Sequence, residues 1–256
     1  MRRLEQDLPS WTRAITLVSD AEVALFRKFT SAGVVRAISN GVDLEYFQPH
    51  PVAMEHGCVF LGALDYWPNV EGICWFCKEI WPAIRERHPE ATVSLVGRRP
   101  APPVCRLATI PGVKVIGQVP DVRPHLASAA VSIVPLRIAR GIQNKVLESL
   151  AMGKATVTSP QALEGLAAQP GKELLSAHTR QEWTDSISRL IEDQGFRRRI
   201  GAAGRHYVSN NHRWESCLEP LGALLGLEKQ AHTAIAVPAA EPVSVQPLRS
   251  LTTSAK

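Results

Sequence analysis

Two arginines, a lysine and a glutamate lie close together in the stretch VSIVPLRIARGIQNKVLESLAMGKATVTS, as Arg137, Arg140, Lys145 and Glu148. The arginines sit in a loop that ends at Gly141, and beyond it Ile142, Val146 and Leu150 repeat at helical spacing. The free N–H groups and the positive dipole end of a helix start favour an anion. Lys145 and Glu148 lie on that predicted helix, close to its start. Cations around a helix start, with a carboxylate one turn along, suit a phosphate bound beside a hydroxylated ring.

Other reactive residues make weaker patterns. Cys74 and Cys77 form a C-x-x-C with no second pair, and the surrounding GICWFCKEIW reads as an apolar helix face. Two buried thiols are therefore expected there, not a zinc or redox centre. Five cysteines, an odd number, argue against a disulfide framework. The histidines at 50, 56, 88, 125, 178, 206, 212 and 232 show no ligand spacing, and no Ser-His-Asp grouping or Asp-x-Asp motif occurs. No metal site is expected. A dinucleotide-dependent oxidoreductase would carry G-x-G-x-x-G directly after a strand, and none is present.

The elements that must position the opening residues alternate in type. Val131 to Pro135 is a β-branched apolar run that suits a strand buried on both faces, and Ala155 to Thr158 is another beyond the helix-ending Gly153. Upstream, strands are expected at Ile15 to Ser19, Cys58 to Leu61, Ala91 to Val96 and Val113 to Ile116. Between them fall a helix opened by Asp20, a long helical segment from about Asn69 to Arg87, and a short helix from Asp121 to Ala129. Pro82 is expected to kink or split the long one. Such alternation predicts an α/β fold, a Rossmann-like parallel sheet with helices on both faces. Past Ser159 the chain turns helical, with helices expected over Thr179 to Glu192, Phe196 to Val208 and Trp214 to Leu225. Arg197, Arg198 and Arg199 read as a solvated helix face. Residues 228–256 shift to Ala, Pro, Ser, Thr and Val without a period, and a disordered tail is expected there.

A net charge of +5 favours anionic ligands mildly, but no basic run is interleaved with aromatics, so nucleic acid is not an expected partner. No apolar run approaches the roughly 18 residues of a membrane helix and MRRLEQDLPS has no signal-peptide core, which makes cytoplasmic residence the expectation.

Several segments, taken in order, resemble one family. SNGVDLEYFQP, Ser39 to Pro49, looks like the interdomain segment of glycosyltransferase family 4 enzymes, which have the two-lobed GT-B fold. Gly62, SLVGRRP, VIGQVPDVRPHLASA and GIQNKVLESLAMGKATVTSPQALEGL are similar to successive parts of that family's C-terminal, donor-binding lobe. The resemblance is nearest to bacterial sugar transferases associated with exopolysaccharide and protein-sorting gene clusters, and runs from about Thr16 to Leu225. It implies a division into 1–48, a remnant of the acceptor lobe plus the interdomain segment, 49–227, the donor-binding lobe, and the 228–256 tail. The rest of the N-terminal lobe would be missing, and the helix from Arg213 to Leu225, which crosses back to the first lobe in the family, would lack its usual partner.

The resemblance further implies retaining, metal-independent transfer of a sugar from a nucleotide diphosphate-sugar to an acceptor hydroxyl, with no cofactor. The acceptor would be a glycan or a lipid-linked glycan, the latter with peripheral contact at the inner membrane face. Glu148 matches the second carboxylate of the family's Glu-x7-Glu motif, which accepts hydrogen bonds from ribose hydroxyls. Arg140 stands where the first, sugar-orienting carboxylate is expected. The family's arginine and lysine after the glycine at 62, which bind the diphosphate, are replaced by Ala63 and by the Pro68-Asn69 region. Arg137, Arg140 and Lys145 are expected to compensate. Gly62, Arg98, Val119, Gly141, Ile142, Gln143, Asn144 and Glu164 complete the expected donor site. These departures leave open a second possibility, a truncated, non-catalytic lobe that binds a nucleotide or a partner without turnover.

Overall fold

The computed structural model describes residues 2–31, 33–51 and 57–227. The tail expected over 228–256 lies outside them. In chain order the elements begin with α1 (Arg2–Trp11), β1 (Ile15–Leu17), α2 (Asp20–Arg27) and β2 (Val35–Ala37). There follow β3 (Gly57–Leu61), α3 (Trp67–Trp75), a π-turn over Phe76–Ile80, α4 (Trp81–Arg87), β4 (Thr92–Val96) and α5 (Pro102–Cys105). Next come β5 (Val113–Gly117), α6 (Arg123–Ser128), β6 (Val131–Val134), α7 (Asn144–Ala151), β7 (Ala155–Thr158), α8 (Pro160–Leu163) and β8 (Leu175–Ser176). Three helices close the described chain, α9 (Arg180–Glu192), α10 (Gln194–Asn211) and α11 (Trp214–Leu224).

Six strands form one parallel sheet in the order β5-β4-β3-β6-β7-β8. Every residue of β3, β6 and β7 is buried, as their mainly apolar and β-branched runs predict. The chain moves outward from β3 to β5, then returns to pair β6 beside β3 and moves outward the other way. Between β3 and β6 the direction of winding reverses, and the ends of these strands are where a crevice opens in such sheets.

The long helix is split at its proline. Pro82 has no N–H to complete an α-helical bond to Lys78, and the turn ahead of it widens, so that the Trp81 N–H reaches back to the Phe76 carbonyl. This places Trp81, Phe76, Ile80 and Ile84 in the core together with Trp183 of α9. Thr179 and Glu182 start α9 with a reciprocal capping box. Gly201 lets α10 pass against the backbone at Gly153, where a Cβ would overlap the Gly153 carbonyl oxygen.

Three sequence expectations change. The helix expected from Ile142 begins at Asn144, with Gln143 in extended conformation ahead of it. Arg197 is not on a solvated face. It is 7% exposed, and its Nη1 donates to the carbonyls of Leu190 and Ile191, at the end of α9. Three consecutive positions span about 200° of a helix, and here the first of them turns toward the core. The short segments β2, α1, α5, α8 and β8 were not expected at all.

The N-terminal elements carry a separate apolar cluster of Val23, Phe26 and Val35. The chain entering the final helix meets the segment after β2. Gly41 lies against Trp214, Val42 N–H donates to the His212 carbonyl, and His212 Nδ1 is 3.0 Å from the Asn40 carbonyl. Among the described residues no helix is long and apolar enough to cross a membrane.

Candidate functional site

At the carboxyl ends of β3 and β4, facing the start of α7, lies a cavity of about 460 Å³. Leu61, Gly62 and Ala63 line it from β3, Val96, Gly97 and Arg98 from β4, and Gln118, Val119 and Val122 from the chain after β5. Asn144, Lys145 and Glu148 enter from the first turns of α7, and Phe47 closes one side. The floor depends on two glycines. A Cβ on Gly97 would fall on the Gly62 carbonyl, and a Cβ on Gly62 would come within 2.9 Å of Asn69 Nδ2 and 3.3 Å of Lys145 Nζ.

Asn69, in the first turns of α3, is 3% exposed. Its Nδ2 donates to the Ala63 carbonyl at 2.8 Å, which fixes the amide so that Oδ1 accepts from Lys145 Nζ at 2.6 Å. The ammonium also lies 5.3 Å from the centre of the Phe60 ring. Burial, offset in part by the charge of Glu148, pulls Lys145 down to about 8. Burial raises Glu148 above the usual carboxylate range, with Lys145 opposing it. Lys145 and Glu148 thus form a half-buried pair of opposite charge on adjacent turns, with Gly62 beside the ammonium.

Two anchors hold the Phe47 side. Arg205 donates from Nη1 to the Phe47 carbonyl at 2.6 Å and from Nη2 to the Leu44 carbonyl at 3.1 Å, and it also reaches the Ala151 carbonyl at the end of α7. Arg123 stacks 3.8 Å over the Tyr46 ring and binds Asp121 in bidentate fashion, which holds that carboxyl down at about 2. Asn40 Nδ2 donates to Asn144 Oδ1 at 2.8 Å, tying the segment after β2 to the first residue of α7.

Of the residues expected from sequence, Gly62, Arg98, Val119, Asn144, Lys145 and Glu148 line this cavity together. Arg137 is elsewhere. It pairs with Glu71 at 2.8 Å, lies over Trp75 and lines a separate cavity of about 260 Å³ beside Ser159, His178 and Trp183. Arg140 is exposed, with its carbonyl accepting from Gln143 Nε2 at 3.1 Å. Gly141 and Gly165 approach each other and the N-terminal residues Val18, Ser19 and Glu22. Ile142 is buried in the main core, and Glu164 is exposed after α8. Asn69 and Phe47 were not singled out from sequence as site residues. An asparagine near the start of a predicted helix, shortly after a strand followed by Gly62, was the only sequence signal for the first. Among the described residues no group of three His, Cys, Asp or Glu side chains is placed to hold a metal ion. Cys58 and Cys77 are buried core thiols, Cys58 pushed up to about 12 by burial.

The sequence model of the family described as glycosyl transferases group 1 matches residues 55–193. Among curated proteins none matches the chain. Among solved structures, sucrose-phosphate synthase from Thermosynechococcus elongatus is similar with a TM-score of 0.71 at 20% identity, over 88% of this chain and 60% of that one. Anabaena HepE, solved with UDP-glucose, is similar with a TM-score of 0.73 at 17% identity, over 88% and 67%. S. aureus TarM, solved with UDP and α-GlcNAc-glycerol, has a TM-score of 0.73 at 12% identity, over 87% and 45%. The chain thus spans between about half and two thirds of these structures. At these identities the likeness is one of fold.

Proposed function

Since the chain belongs to the glycosyl transferase group 1 family, we propose that its cavity binds the donor of a sugar transfer, a nucleoside diphosphate-sugar. The observation that carries this reading is the pairing of Lys145 and Glu148 at the start of α7, opposite the glycine-floored end of β3. Glu148 accepts hydrogen bonds from the ribose diol, since a carboxylate presents two acceptor oxygens in one plane. Lys145 and the free N–H groups at the start of α7 meet the diphosphate. The chain after β5, at Gln118 and Val119, borders the base, with Arg98 opposite it. The segments at Arg140 to Gln143 and at Glu164 border the sugar. HepE and TarM, solved with UDP-glucose and with UDP, make a uridine nucleotide the first donor to test.

In the proposed reaction the bond from the anomeric carbon to the diphosphate oxygen breaks and a bond to the acceptor oxygen forms, with retention. The acceptor's proton leaves with the diphosphate. The protein positions the two reactants and stabilises the charge that develops on the leaving group. Lys145 and backbone N–H groups do this without a metal or cofactor. The acceptor is a glycan or lipid-linked glycan of polysaccharide biosynthesis, met at the cytoplasmic face of a membrane, and its recognition needs a second lobe. Thermal shift against a panel of nucleotide-sugars tests the donor. A true donor at about 100 times its Kd stabilises the fold by about 2.7 kcal/mol. A panel without any such shift contradicts the reading.

A second reading, binding without turnover, draws on Arg140. Its side chain lies outside the cavity lining, at the position where the family resemblance implies a sugar-orienting carboxylate. Release of free sugar from the bound donor by the purified chain would count against it.

A further inference from the structure

We propose that a second site, at the opposite end of the sheet from Lys145, binds a phosphate-type anion. A cavity of about 250 Å³ opens there, at the amino ends of β6 and β7, between the chain at Pro49 to Pro51 and α10. At roughly 30 Å³ per molecule that is room for about eight waters. Its charged lining is Lys154, Arg197 and Arg198, with His50 at the edge, and no Asp or Glu belongs to the lining among the described residues.

Two of these cations are deeply buried. Lys154 is 8% exposed and Arg197 is 7% exposed. Lys154 Nζ donates to the Ala127 carbonyl at 2.7 Å, near the end of α6. Arg197 Nη1 donates to Leu190 and Ile191 carbonyls at 2.6 and 3.1 Å, in the last turn of α9. These carbonyls supply only the partial negative charge of two helix ends. The carboxylate whose charge acts on Arg197 is Asp193, and its Oδ1 caps α10 by accepting from the Phe196 N–H at 2.7 Å. Arg197 Nε is buried and has no partner among the described residues.

Two buried positive charges side by side, with a donor left over, are costly unless a full negative charge meets them. Burial, and then the charge of Arg197, pull Lys154 down to about 8, as expected of an ammonium that lacks its counter-ion. An oxyanion that accepts from several N–H groups at once matches this set, and a phosphate monoester or inorganic phosphate does so with up to two charges. The same chemistry is offered by a free phosphate compound and by an anionic lipid headgroup.

Titration of the ¹⁵N-labelled full chain with inorganic phosphate, at constant ionic strength against chloride, tests the site through the backbone amides of Gly153 and Ala155. The expected result is a saturable shift, weakened at least tenfold in Lys154→Met and in Arg198→Ala and unchanged in Lys145→Met. Arg198 is exposed, so its variant keeps the test alive where Lys154→Met fails to fold. Sedimentation with phosphatidic acid vesicles, reversed by phosphate, assigns the headgroup as the source. Saturation by phosphate without sedimentation assigns a free phosphate compound. A titration of the wild-type chain that does not saturate, or an unchanged affinity in the folded variants, overturns the proposal.

Discussion

Lys145 Nζ and Asn69 Oδ1 lie 2.6 Å apart, although 76 positions separate them in the chain. The contact joins the helix after β3 to the helix after β6, across the line where the sheet reverses its winding. It brings an ammonium from α7 to the asparagine in the region where the family resemblance leads one to expect a lysine.

Replacing that ammonium is expected to weaken donor binding strongly. Hydrogen bonds to charged groups contribute about 1.5–3 kcal/mol. Lys145→Met is therefore expected to weaken the binding of a nucleoside diphosphate by roughly thirtyfold, with Arg189→Ala, outside the cavity, as the unchanged control. Asn69→Ala leaves the charge but frees its position, and a smaller loss is expected. Calorimetric titration of each variant checks both.

Donor affinity is also expected to depend on pH in an unusual range. The free amine of Lys145 titrates near 8, well below the ordinary lysine value of about 10.4. The diphosphate needs the protonated form, and its charge holds the proton on once bound. Affinity is therefore level below about pH 8 and falls as pH rises above it. Binding at pH 9 takes up a proton. Calorimetry in two buffers of different ionisation enthalpy measures that uptake, which is expected to vanish in Lys145→Met.

The glycine floor gives a stability prediction. A Cβ at Gly97 falls on the Gly62 carbonyl, where backbone rather than a flexible side chain must give way. Gly97→Ala is expected to cost between about 1 and 3 kcal/mol in urea unfolding. It is also expected to abolish donor binding, since β3 and β4 separate at the cavity.

The strand–helix–strand stretch from Val131 was legible because each of its faces repeats apolar residues with a single period. The placement of α7, the burial of β6 and β7, and the split at Pro82 were legible on the same grounds. Arg137 was not. Its sequence position put it with Lys145, but the β6–α7 loop turns it to Glu71 on the far side, a partner that no local spacing discloses. Arg197 looked like one of three solvated arginines, and only the packing of α10 on α9 decides which of the three turns inward. Asn69 carried no periodic signal, because its part depends on two crossovers meeting. What local chemistry determines could be read, while pairings between distant crossovers had to be seen.

The role of Glu148 is open to the most direct measurement. Calorimetric titration compares uridine diphosphate with its 2′,3′-dideoxy analogue, in the wild-type chain and in Glu148→Ala. Loss of two hydrogen bonds to a charged acceptor, each worth about 1.5–3 kcal/mol, is expected to weaken the analogue at least tenfold in the wild type. Glu148→Ala is expected to bind both ligands equally and weakly. A Glu148→Ala variant that still prefers the ribose diol as strongly as the wild type would contradict the assignment.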